Sequence, residues 1–148
     1  MNNNPKSILL VDDNADIGEM VKNIILVYQR KRGGAPIDFV FAPDAVAGVE
    51  AVRQKRFSLI LMDYQMPERD GIWATAQIKE INPQTPIVFL SAYTSRGEVE
   101  AARQAGAAAY VAKTVFTQVP VVYCLIDCNC AGLKEYADDE EIWLFVSE

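Results

Sequence analysis

The sequence predicts an α/β fold: a doubly wound, five-stranded parallel sheet with helices on both faces. Two patterns predict it. Short apolar runs alternate with amphipathic stretches from residue 7 to residue 111, and several of the runs end abruptly in an acid or another polar residue. Parallel strands need crossovers that return right-handed over the sheet, so helices between them cover both faces. The polar residues that end the strands then share the carboxyl rim, where sheets of this kind bind their ligands.

Each element follows from its own pattern. Ser7–Val11, Ser-Ile-Leu-Leu-Val, is a short apolar run closed by Asp12-Asp13-Asn14, as expected of a strand buried on both faces. Over residues 16–30, Ile17, Met20, Val21, Ile24, Val27 and Tyr28 recur three and four apart, the stripe of an amphipathic helix, and Gly33-Gly34-Ala35-Pro36 breaks it. The alternation continues with a strand at 38–42, a helix at 44–54, a strand at 57–62, a helix at 71–81 and a strand at 87–90. A fourth helix at 98–105 stops at Gly106, and 108–111 is the fifth strand. Asp12, Asp13, Asp63, Ser91 and Lys113 then converge on one rim.

After Lys113 the pattern weakens. Residues 114–119 are β-branched and polar, Pro120 interrupts, residues 121–126 suit a strand or a buried helix, and acids at 138–141 precede Ile142-Trp143-Leu144-Phe145-Val146. Two readings compete: an irregular fifth helix followed by an acidic loop and a final apolar segment, or strands that pair with the sheet or with another subunit. The helix is preferred. The final apolar segment is expected to pack on its own domain rather than on a partner or in a homodimer, since left open it would form a sticky patch. Cys124, Cys128 and Cys130 crowd into a few residues, and with apolar neighbours they read as buried structural thiols rather than as a metal or redox site.

At 148 residues the chain is expected to form a single domain, with a core at 6–113 and an atypical segment at 114–148. Apolar residues make up 51% and charged residues 23%, the balance of a globular protein. The net charge of −6 argues against nucleic-acid binding, which needs a basic face. No signal-peptide core and no membrane-length apolar run is present, so a cytoplasmic location is expected. The absence of His removes Ser-His-Asp and Cys-His catalysis, the usual zinc sites and any phosphohistidine role.

The rim residues carry the chemistry. Asp12-Asp13 follows the first strand and Asp63 the third, and neighbouring strands lie about 5 Å apart, so their carboxylates meet. Crowded carboxylates either take raised pKa values or bind a cation, and a hard oxygen set with retained waters suits Mg²⁺. Taken singly, each acid also reads as a helix cap at a loop mouth. Phosphoryl transfer to a carboxylate needs a nucleophilic Asp, a cation and donors to the transferring oxygens. Asp63, Mg²⁺ on Asp13, Lys113 and Ser91 meet those needs.

Asp12-Asp13, then Asp63-Tyr64-Gln65-Met66-Pro67-Glu68-Arg69-Asp70-Gly71, Ser91-Ala92 and Tyr110-Val111-Ala112-Lys113 resemble the receiver family of two-component signalling over residues 6–113. The resemblance implies a stand-alone response-regulator receiver with a flavodoxin-like strand order, 2-1-3-4-5. It implies Asp63 as phosphoacceptor, Mg²⁺ on Asp13, Asp63 and the main-chain carbonyl of Gln65, and Asp12 acting mainly through a bound water. Lys113 would pair with the acids and phosphoryl oxygens. Ser91 would donate to the phosphoryl group, with small Ala92 leaving room, and Tyr110 would be the aromatic switch, a half-buried strand aromatic being the competing reading. Tyr93 and Gln65 would screen the phosphoryl group, bulky Tyr93 slowing its hydrolysis. The implied partners are a histidine kinase or histidine phosphotransfer protein and a downstream protein, with self-catalysed phosphorylation rather than turnover.

The chain departs from the family where Thr114 replaces the usual Pro after the lysine, and where residues 114–133, rich in Val, Thr and Cys, replace a fifth helix of good helix formers. Three other readings compete with this one. An aspartyl-nucleophile hydrolase of the haloacid-dehalogenase kind wants a second Asp where Gln65 stands. A pseudo-receiver binding its partner constitutively through the tail is the main alternative. A nucleotide-binding role lacks a glycine-rich phosphate loop after the first strand.

Overall fold

The structure, a computed structural model, describes residues 6–92, 94–116, 119–127 and 141–145. Strands β1 (Ser7–Val11), β2 (Asp38–Ala42), β3 (Leu59–Asp63), β4 (Ile87–Ser91) and β5 (Ala109–Ala112) alternate with helices α1 (Ala15–Arg32), α2 (Ala45–Gln54), α3 (Gly71–Ile81) and α4 (Arg96–Ala105). A short helix α5 (Lys113–Phe116), a helix α6 (Val119–Ile126) and a strand β6 (Ile142–Leu144) complete the described chain. Among the described residues no helix is long and apolar enough to cross a membrane.

The sheet runs β2-β1-β3-β4-β5-β6, with the first five strands parallel in the expected order. The expectation of five strands is corrected to six, because β6 pairs antiparallel with the outer edge of β5. An unpaired edge beside β5 and a segment of Ile, Trp and Leu together favour that closure. The tail therefore combines both readings: α6 is helical, with Pro120 in its first turn where no amide is needed, and the final apolar segment packs as a strand on its own domain. Cys128, Cys130 and Val146 lie outside the described residues.

Side-chain caps set the helix starts. Asn14 Oδ1 accepts from the Asp16 amide at 2.9 Å, Asp44 Oδ1 from Ala47 at 2.7 Å and Asp70 Oδ1 from Trp73 at 2.9 Å. Helix α4 begins at Arg96 rather than at residue 98, because Ser95 caps it, its hydroxyl oxygen accepting from the Glu98 amide at 3.4 Å and its hydroxyl donating to Glu98 Oε1 at 2.7 Å. Gly106 ends it at φ 100°, a left-handed conformation. Strand β3 begins at Leu59 rather than at residue 57, and Lys113 opens α5 instead of ending β5.

The sheet divides the core in two. Leu10, Leu61 and Val111 face α1 and α6, whereas Leu9, Ile60, Phe89 and Tyr110 face α2, α3 and α4. Every residue of β3 and β4 is buried, as sheets covered on both faces require. Leu61→Ala, at 2% exposure, is expected to cost about 2–5 kcal/mol, whereas Leu26→Ala, at 47%, should cost less than about 0.5 kcal/mol. Denaturant unfolding of the two variants checks this, and equal losses would contradict the two-layer core.

Candidate functional site

The carboxyl rim of the parallel strands gathers the predicted acids. Asp12 directly follows β1, its amide donating to the Ala42 carbonyl at 3.1 Å, and Asp63 is the last residue of β3. The pairing of Val11 with Met62 sets the two acids side by side. One carboxylate oxygen each from Asp12, Asp13 and Asp63 lies within 4.8 Å of the other two. Asp12 is fully buried, Asp63 nearly so and Asp13 exposed. The Asn14 amide donates to Asp12 Oδ1 at 2.8 Å, fixing that carboxylate.

Lys113 reaches into this cluster from the start of α5. Its Nζ is 2.9 Å from Asp12 Oδ2 and 3.3 Å from Asp63 Oδ1. No cis peptide occurs among the described residues, so the Lys113–Thr114 bond is trans and the lysine is placed without the family's proline. One ammonium against three carboxylates leaves the cluster anionic. Burial raises the Asp63 carboxyl to about 7, Asp12 adds to the rise, and Lys113 opposes it. For Lys113 itself burial acts downward, but Asp12 and Asp63 outweigh it and hold the ammonium above its ordinary value.

Two further predicted residues lie behind the acids. Ser91, the last residue of β4, is fully buried and shares a side-chain hydrogen bond with Tyr110. Tyr110 is fully buried rather than half-buried, with its ring stacked on Phe89 at 5.9 Å and 5°. Burial pushes its hydroxyl up to about 12, against the lowering effect of the Ser91 hydrogen bond. Gln65 and Ala92 are exposed at the rim, and Tyr93 lies outside the described residues.

Three contributions were not legible as such. Asn14 clamps Asp12, which the Asp-Asp-Asn string hints at as a local turn. Gly71 admits a close approach: a Cβ there would lie 2.2 Å from the Asp63 carbonyl oxygen, and its amide donates to the Tyr64 carbonyl at 2.8 Å. Trp143 meets Tyr110 edge to face at 5.7 Å and 83°, a contact with no signal in the sequence.

The geometry is that of an anionic pocket of hard oxygen donors with a lysine bridging its two buried acids. The sequence profile of the response regulator receiver domain matches residues 8–119. The chain belongs to the response regulator receiver family. A receiver is a phosphoacceptor signalling domain of two-component systems, and this chain is one. It is 36% identical over 106 residues to the chemotaxis protein CheY of Bacillus subtilis, covering 72% of this chain and 83% of that protein. It is 34% identical over 100 residues to the autoinducer 1 sensor kinase/phosphatase LuxN of Vibrio harveyi, covering 68% of this chain but only 11% of that much longer protein. A CheY-like receiver structure from Methanospirillum hungatei superposes with a TM-score of 0.74 at 23% identity, over 89% of this chain and 99% of that one.

Two outcomes follow from the receiver's geometry. With divalent cations chelated, the native state holds the Asp63 proton more tightly than the unfolded chain does, so this group's contribution to stability falls as pH rises from about 4 to about 7. Asp63→Asn removes that penalty; its melting temperature should gain on wild type across that window and stop gaining above it, and a pH-independent difference would contradict the raised pKa. Gly71→Ala should destabilise by about 1–3 kcal/mol through the clash with the Asp63 backbone, whereas Gly97→Ala, where a Cβ meets nothing within 4 Å in helix α4, should be neutral or stabilising. Thermal melts of the pair decide it.

Proposed function

We propose that Asp63 takes a phosphoryl group from the phosphohistidine of a partner histidine kinase or histidine phosphotransfer protein in the cytoplasm. The signal then passes to a downstream protein by a shift between two arrangements of the rim. The observation that carries this reading is the Lys113 ammonium between two buried carboxylates, 2.9 Å from one and 3.3 Å from the other. Residues 6–113 are the working core of the receiver, and 114–148 an addition to it.

A carboxylate oxygen of Asp63 attacks phosphorus, the bond from phosphorus to the donor imidazole nitrogen breaks, and that nitrogen keeps the electron pair, leaving an acyl phosphate. Lys113 is placed to offset charge on the transferring oxygens, and Ser91 to donate its hydroxyl to the phosphoryl group once it has arrived. Asp13, Asp63 and the main-chain carbonyl of Gln65 would hold Mg²⁺, with Asp12 acting through a bound water. The donor set fits a hard cation, since the oxygens converge and burial leaves the Asp63 charge undercompensated. When bound, Mg²⁺ supplies the remaining neutralisation of the phosphoryl oxygens. The chain thus assists its own phosphorylation and dephosphorylation without turning over a substrate. Tyr110, hydrogen-bonded to Ser91, would relay the change away from the rim.

Intact mass after mixing with Mg²⁺ and acetyl phosphate tests the reading. One phosphoryl adduct is expected, absent in Asp63→Asn and in chelator, and formed about a hundredfold more slowly in Lys113→Ala. An adduct that persists in Asp63→Asn, or none in wild type, would overturn it.

A further inference from the structure

Strand β6 lies outside the receiver's five-stranded framework, yet it touches the residue that links the rim to the edge of the sheet. Tyr110 on β5 stands directly opposite Trp143 on β6. Around that pair the Ala112 amide donates to the Glu141 carbonyl at 2.8 Å and the Phe145 amide to the Ala108 carbonyl at 3.0 Å, so the ladder extends one residue beyond the strand at each end. The Tyr110 ring is confined on two sides, by Phe89 stacked at 5.9 Å and by the Trp143 ring at 5.7 Å. Its hydroxyl is tied to Ser91. Trp143 also lines a cleft at the start of α4 with Thr94, Arg96 and Val99.

We propose that Trp143 is a positioning residue that holds Tyr110 inward against Ser91, so that docking of β6 and phosphorylation of Asp63 strengthen each other. The inference rests on the phosphoacceptor reading of Asp63. The reasoning turns on one hydrogen atom. A serine hydroxyl donates once and accepts through two lone pairs. When Ser91 donates to a phosphoryl group, its bond with Tyr110 persists only with the tyrosine hydroxyl as donor. That makes a chain from Tyr110 through Ser91 to the phosphoryl oxygen, in which each bond polarises the next. The chain needs the tyrosine ring inward, and the inward ring is the one that Trp143 covers. Linkage then requires reciprocity: if β6 favours the inward ring, the phosphoryl group must favour docked β6 by the same factor.

The test uses the full chain with Mg²⁺ and beryllium fluoride, a stable tetrahedral mimic of the phosphoryl group. In a Trp73→Phe background Trp143 is the remaining tryptophan. Its emission is expected to shift to the blue as beryllium fluoride saturates the site, and amide exchange over residues 142–144 is expected to slow. Trp143→Ala should weaken beryllium fluoride binding about fivefold, and Trp143→Phe should restore most of the loss. In a Tyr110→Phe background, which keeps the ring and lacks the hydroxyl, Trp143→Ala should leave the affinity unchanged while still lowering the melting temperature. A structural role alone would lower the melting temperature in both backgrounds and the affinity in neither. Binding with no change in Trp143 emission, or with faster exchange over β6, overturns the inference; the Trp73→Phe protein supplies that readout even if Trp143→Ala fails to fold. Wild type that takes no phosphoryl adduct from acetyl phosphate removes the phosphoacceptor reading and this inference with it, whereas an adduct without coupling removes this inference alone.

Discussion

Two carboxylates buried beside each other with one ammonium between them are the constraint on which the rest of this structure depends. Asp12 and Asp63 have little access to water, and desolvation of a charge costs several kcal/mol unless a partner repays it. Lys113 is that partner for both. The three residues come from the ends of β1 and β3 and from the start of α5, so the ion pair exists only if those segments finish on the same rim. A parallel sheet is the arrangement that brings strand ends of one polarity together. The match remains incomplete, since Asp63 retains a raised pKa. A site that stays undercompensated holds back stability that a charged ligand can return, which is the usual relation between a strained site and its function.

Most of this is legible in the sequence because the chemistry sits at punctuation points. Asp12, Asp63 and Ser91 each close an apolar run, and a run that ends in an acid or hydroxyl marks a strand end whatever the tertiary structure. Caps were less legible: Asp44 and Asp70 stand just outside their helices, and Ser95 moved the start of α4 forward, because a cap acts through one side chain rather than through periodicity. The tail was least legible. Ile142-Trp143-Leu144 is apolar at every position, so it fits a strand and a buried helix equally, and its partner β5 lies some thirty residues earlier in the chain. Tyr110, fully buried, meets that same strand through Trp143.

At the opposite end of the sheet a second set of charges fastens helix α6. Lys6 Nζ donates to the Ile126 carbonyl at 2.8 Å, a cation at the end of α6 where the helix dipole is negative. Tyr28 donates to Asp127, and Arg32, 3.6 Å from that carboxylate, lies over the rings of both Tyr28 and Tyr123. Each exposed pair is worth little on its own. Their effect is positional: they fix the last turn of α6 against α1, so that Val121 and Leu125 cover the core face holding Leu61 and Val111.

Strand β5 therefore serves two structures at once. Val111 points toward α6 and pairs with Ile142, while Tyr110 points toward α4 and pairs with Trp143. Successive residues of a strand point to opposite faces, so the alternation of β6 repeats that of β5, Ile142 and Leu144 facing one core cluster and Trp143 the other. A one-residue slip of β6 would exchange these faces, setting Trp143 against α6 and removing its ring from Tyr110. Register is thus enforced by burial on both sides. The same burial lets the Tyr110 side chain meet both the rim, through Ser91, and the outer strand β6, through Trp143. A strand at the other edge, beside β2, would have covered an open edge equally well. Only at β5 does it close the sheet over the residue that faces the site.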